Sequence, residues 1–140
     1  MYEVFEHTAD LGLRMRATSL NELFADAGRA LVSQLANLSA VQPVSVRTIE
    51  LQGDSLDYLL FDWLSELLFA FEESRLLLAD FDVQVSQADG EYHLSATCRG
   101  ETADVQRHEL AHEVKAITYH GLFVRQNDDG SWEAEVIVDI

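Results

Sequence analysis

An α+β fold, two long helices packed on mostly antiparallel sheet, is predicted by three features of this 140-residue sequence. Two stretches repeat their apolar residues at helical spacing, several shorter ones alternate every second residue, and turn signals separate the alternating stretches as hairpins require. No internal repeat, low-complexity tract or linker interrupts the pattern, so residues 1–140 read as a single compact domain. A chain of this size buries about two-thirds of its unfolded surface without disulfides.

Short strands fit residues 2–6 and 11–17. Leu20, Leu23, Phe24, Ala27, Leu31, Leu35 and Leu38 then share one helical face, and Ser19 followed by Glu22 makes a capping box, so a helix is expected over about 20–37. Residues 44–51 are rich in β-branched side chains. Gly53-Asp54 punctuates the chain before a second helix whose wide stripe, Leu56, Leu59, Leu60, Trp63, Leu64, Leu67, Leu68 and Phe71, is read as core against a sheet, with Trp63 buried. From Phe81 the period becomes two, with Asp89-Gly90 turning a hairpin whose second strand runs from Tyr92 to Cys98. The polar stretch 100–108 reads as a mobile loop. Strand character returns over 114–125, where His120-Gly121 suits a tight bend between a strand ending at Tyr119 and one starting at Leu122, turns at 127–130, and ends in the alternating segment 132–139.

Composition excludes several functions. Nine Lys plus Arg against 25 Asp plus Glu give a net charge of −16, which repels a phosphate backbone, so stable direct nucleic-acid binding is not expected. So much acid suits a solvated surface, cation binding or docking on a basic partner. The single cysteine, Cys98, allows neither an internal disulfide nor a cysteine zinc cage and fits a reducing, cytoplasmic setting. No secretory or membrane-spanning segment is read, because the most apolar run is broken by Asp57, Asp62 and Glu66.

Few motifs carry chemistry of their own. His108-Glu109-Leu110-Ala111-His112 matches the zinc-protease pattern literally, yet it follows a loop and runs within two residues into strand-like sequence, where that motif requires a long helix and a third ligand. No Gly-x-Ser-x-Gly elbow is present, and the seven glycines are scattered at turns with no phosphate loop. Cys98 occupies an apolar strand position. Lys115 is the only lysine among nine basic residues and stands near Thr118, Tyr119 and His120.

The strings Glu6-His7-Thr8-Ala9-Asp10, Trp63-Leu64-Ser65-Glu66-Leu67-Leu68, 114–122 (VKAITYHGL) and 136–140 (VIVDI) resemble the archease family, in order and over the whole chain. The resemblance implies an archease-like fold and a non-enzymatic partner of an RtcB-type RNA ligase, promoting its metal-dependent guanylylation and repeated turnover in tRNA splicing or RNA repair. It also implies a metal site at Asp10, Asp139 and Ile140, the last through main-chain or terminal carboxylate oxygen. Oxygen donors suit a hard cation, calcium, magnesium or manganese. His7 could orient a ligand carboxylate, and Lys115, Tyr119 and His120 are candidates for supporting the site or touching the partner; no catalytic residue is assigned. The rival readings are an autonomous metal-dependent hydrolase using Asp10, His108, His112 and Asp139, and an acidic scaffold without catalysis.

Overall fold

The computed structural model describes residues 1–7 and 10–140, apart from the side chain of His7. Two strands, β1 (Tyr2–His7) and β2 (Asp10–Ala17), lead into helix α1 (Leu20–Leu35). Strand β3 (Ser45–Gly53) precedes helix α2 (Leu56–Ser74), which hands over to the hairpin β4 (Leu76–Ala88) and β5 (Glu91–Thr102). A single helical turn, α3 (Val105–His108), is followed by β6 (Ala116–Ile117), β7 (Phe123–Gln126) and β8 (Trp132–Asp139). One sheet has the order β1-β2-β8-β6, with β7 also on β8; the other has the order β3-β5-β4. Every strand pair is antiparallel, and the α+β class holds.

Local chemistry starts both helices, at Ser19 as expected and at Ser55 by the same device. The hydroxyls of Ser19 and Ser55 accept the backbone N–H groups of Glu22 and Tyr58, each 3.2 Å away, satisfying donors that have no intrahelical partner. Helix α2 ends at Arg75, whose left-handed backbone (φ 55°) returns its N–H to the last turn. Asp89 and Gly90 both have positive φ, the geometry that lets a two-residue turn follow the twist of β4 and β5.

The core lies between the two sheets and the helices. Leu13 and Met15 of β2 and Val136 and Val138 of β8 meet α1 and α2 from one side; Phe81, Val83, Leu94, Ala96 and Cys98 meet them from the other, all buried. Trp63 is fully buried, donates its indole N–H to the Phe24 carbonyl at 2.8 Å and sets its ring edge-on to Phe81 at 5.7 Å. Burial pushes the Cys98 thiol up to about 12, so it stays protonated and inert at neutral pH.

Two expectations are corrected. Residues 100–108 form no open loop: they finish β5 and make α3, and Glu101 and His108 are buried. Within 114–125 the expected bend at His120-Gly121 is present, but the strand before it ends at Ile117 and not at Tyr119. Five residues, 118–122, face only residues 136 and 137 between the β6 and β7 registers on β8. The surplus leaves the sheet as a bend, helped by Gly121 at φ 67°, and carries Tyr119 and His120 outward, both exposed.

Candidate metal centre at the sheet end

Pairing of β2 with β8 sets Asp10 directly opposite Asp139, on the last rung before Ile140. The same rung continues to His7 on β1 and to Ala116 on β6. Residues opposite one another on antiparallel strands project to the same face, and Leu11 and Val138 on the next rung face the core. Asp10 and Asp139 therefore share the outward face, each partly buried. The Lys115 N–H donates to the Asp139 carbonyl at 2.7 Å. Thr118 donates its N–H and hydroxyl to the Ile137 carbonyl at 3.1 and 2.9 Å, and its hydroxyl oxygen accepts the His120 N–H. These bonds hold 115–120 beside the terminal residues of β8.

Further along the same face the carboxylates are paired with arginines. Arg14 bonds Glu135 at 3.2 Å and also Glu3, and lies over the Phe5 ring. Arg16 and Arg125 both reach Glu133, at 3.3 and 3.4 Å. Desolvation pushes the Glu133 carboxyl up, but the two guanidinium groups outweigh it and hold the group below its ordinary value. Among the described residues no arginine or lysine pairs with the Asp139 carboxylate, unlike Glu133 and Glu135 further along β8.

The candidate residues separate into three places. Asp10, Asp139 and Ile140 are together at the rung. Lys115 is exposed and adjacent through its backbone, its side chain lining a groove with Phe71, Glu72, Arg75 and Glu113. Tyr119 and His120 lie on the bend, where Tyr119 stacks on Phe61 with ring centroids 3.9 Å apart. Thr8 and Ala9, inside the first motif, and the His7 side chain lie outside the described residues. Sequence reasoning missed Thr118, whose hydroxyl fixes the bend, and missed Tyr58 and Phe61, aromatics that fall off the core stripe of α2.

His108 and His112 do not share a helix face. α3 ends at His108, Glu109 turns left-handed (φ 52°), and His112 is exposed while His108 is fully buried. The Ala111 and His112 N–H groups instead donate to the Leu35 and Gln34 carbonyls, both at 2.9 Å, satisfying C-terminal acceptors that α1 leaves open. The histidine pair is thus split by a capping segment, and the described residues contain no group of three His, Cys, Asp or Glu side chains placed to hold a metal.

His108 belongs to a second, structural network. Its Nδ1 accepts the Asp104 N–H at 2.7 Å, and its Nε2 lies 3.3 Å from Glu101, near enough for an electrostatic contact though not aligned as a hydrogen bond. Glu101 also accepts from both Arg107 guanidinium nitrogens and from the Gln42 N–H. Arg107, with the Gln42 N–H, holds the Glu101 carboxyl down at about 2. The folded value lies below the ordinary 4.5, so the stabilisation is complete above about pH 4.5 and is lost as pH falls towards 2. Glu101→Gln is expected to flatten the acid limb of stability in that window, read as urea midpoints between pH 6 and 2.5; an unchanged limb would show that other carboxylates set it.

A rim of paired carboxylates beside one acidic rung, on a two-helix, two-sheet α+β domain, describes a class of small acidic domain whose strand ends offer oxygen donors. Comparison with known proteins gives the family. Residues 2–140 match the family described as "Archease protein family (MTH1598/TM1083)". Protein archease of Pyrococcus abyssi is 38% identical over 139 residues, covering 99% of this chain and 98% of that protein. The Methanopyrus kandleri protein archease is also 38% identical, covering 99% of each. The solution structure of Methanobacterium thermoautotrophicum protein 1598 superposes with a TM-score of 0.87 at 34% identity, covering 99% of this chain and 98% of that one. The chain belongs to the archease family. No helix among the described residues is long and apolar enough to cross a membrane.

Proposed function

We propose that this chain is a cytoplasmic, metal-binding accessory protein that promotes guanylylation and multiple turnover of an RtcB-type RNA ligase, in tRNA splicing or RNA repair, with no chemical step of its own. The observation that carries the reading is the placement of Asp10 against Asp139, on the rung that ends at Ile140. Two carboxylates and a main-chain oxygen make a hard donor set, which fits calcium, magnesium or manganese. Asp10 and Asp139 would hold the ion from adjacent strands and Ile140 would close the set. Such an ion counters triphosphate charge.

The chain's own residues supply rigidity. The ladder to β6 and the Lys115 N–H on the Asp139 carbonyl fix the β8 end, so the carboxylates do not have to be ordered when an ion arrives. The net charge of −16 favours encounter with a basic, phosphate-handling cleft. With His108 buried against Glu101 and His112 exposed on the segment that closes α1, the two histidines of the hydrolase alternative do not face one site.

The test is a time course of guanylylation and RNA joining by a cognate ligase at limiting GTP and metal. Substoichiometric protein should raise both rates; equal turnover with and without it rejects the reading. The site is tested separately by calorimetry. Metal affinity should fall at least about tenfold for Asp10→Ala and Asp139→Ala, each removing one charged oxygen ligand, and should fall also when residues are added after Ile140. Undiminished affinity in the extended chain would mean that a carboxylate at Ile140 is not a ligand.

A further inference from the structure

Off the core stripe of α2, Tyr58 and Phe61 meet Tyr119 from the bend after β6. Phe61 and Tyr119 stack within 10° of parallel, and Tyr58 stands edge-on to Tyr119 at 5.7 Å. Both tyrosines remain more than half exposed, at 58% and 59%. They open onto a cleft of about 640 Å³ lined by Ser55, Asp57, Tyr58, Tyr119 and Leu122. Among the described residues its only charged lining group is Asp57, one of whose oxygens accepts the Val124 N–H at 2.8 Å.

Charge and ring geometry select the occupant. The N-terminus of α2 contributes roughly half a positive charge, but Asp54 and Asp57 on either side of Ser55 place two full negative charges against it, and Asp62 adds a third one turn on. Among the described residues no lysine or arginine lines the cleft. A planar cation with donors for a carboxylate matches both the ring faces and Asp57, and that combination describes a guanidinium better than an ammonium.

We propose that this cleft docks an arginine side chain of the partner protein, its guanidinium against the Tyr58 and Tyr119 rings and paired with Asp57. The proposal rests on the accessory-protein reading above and gives that protein a contact separate from the Asp10–Asp139 rung.

Activation of a cognate ligase is titrated with the full-length protein and its variants. Tyr58→Ser combined with Tyr119→Ser is expected to raise the concentration for half-maximal activation about tenfold, the scale of one lost cation–π anchor with its packing, while calorimetric metal affinity is retained. Asp57→Asn, which keeps an acceptor for the Val124 N–H, should raise it less, and Tyr119→Phe should behave as wild type. Half-maximal activation unchanged by removing both rings overturns the proposal. So does a dimer in sedimentation that the double variant dissolves, which would assign the cleft to a second copy. If the wild-type protein does not activate the ligase, the functional reading fails and the cleft is judged by a direct probe. N-acetyl-arginine amide should shift the Tyr58 and Tyr119 ring resonances and the citrulline analogue should not; no shift with arginine overturns the proposal on its own.

Discussion

Trp63→Ala is expected to destabilise the fold by about 3 to 5 kcal/mol, the usual loss when a large buried aromatic is truncated. For a domain of this size that is a fall of roughly 10 to 17 °C in Tm. Three contacts go at once: the edge-on pairing with Phe81, the hydrogen bond to the Phe24 carbonyl, and the packing between α1, α2 and β4. Trp63→Phe keeps most of the apolar volume and loses the donor, so it should fall between wild type and alanine. Calorimetric melting checks both. Ligase activation measured below the melting range should be unchanged for the folded fraction, because no part of Trp63 reaches the surface; a variant that kept its Tm but lost activation would make the stripe an interface.

Elements whose signal is local were legible in the sequence. Ser19 caps where the residue order says it can, the Asp89-Gly90 turn fixes the β4–β5 register, and the stripe around Trp63 marks the buried face of α2. What failed depends on partners far away in the chain. Residues 100–108 look like loop because they are polar, yet Glu101 pairs with Arg107 and accepts the Gln42 N–H, and the His108 Nδ1 accepts the Asp104 N–H, so most of the polar atoms buried there have partners. The bend at His120-Gly121 is legible in the sequence, but the three-residue surplus against β8 that ends β6 at Ile117 and expels Tyr119 is visible only once the β6 and β7 registers are known.

The candidate site was legible in a different way. Asp10 and Asp139 stand far apart in sequence, and only the family resemblance joined them; alternation showed that each ends a strand, not that the strands are neighbours. The β2–β8 register supplies that adjacency. The zinc-protease pattern shows the converse, a short string with correct spacing whose backbone is not helical past His108 because Ala111 and His112 are occupied in closing α1. Tyr58 and Phe61 left one faint signal, aromatics off the apolar stripe, which says that a helix face is unusual without saying what covers it.

Gly100→Ala should be the most damaging single substitution among the glycines, costing more than about 4 kcal/mol and leaving little folded protein, a loss reserved for changes that force backbone apart. A Cβ at residue 100 would lie 1.7 Å from the Leu77 carbonyl oxygen and 2.8 Å from the Leu78 Cα, atoms of β4 that cannot move without opening its ladder to β5. The β4 register shifts between Leu78 and Asp80 at this crossing, and on the other edge the Gly100 carbonyl accepts the Val44 N–H at 3.0 Å, so neither neighbour is free to withdraw. Gly12→Ala meets the Phe5 ring at 2.1 Å. That obstacle is a side chain able to swing off the exposed face, and the expected loss is smaller, about 1 to 3 kcal/mol. Gly53→Ala finds its nearest atom at 3.8 Å and should change stability by less than about 1 kcal/mol. Urea midpoints for the three variants test the order. If Gly100→Ala melts with Gly53→Ala, the close crossing of β4 over β5 is not a feature of the folded protein in solution, and the burial of Glu101 beside it would have to be re-derived.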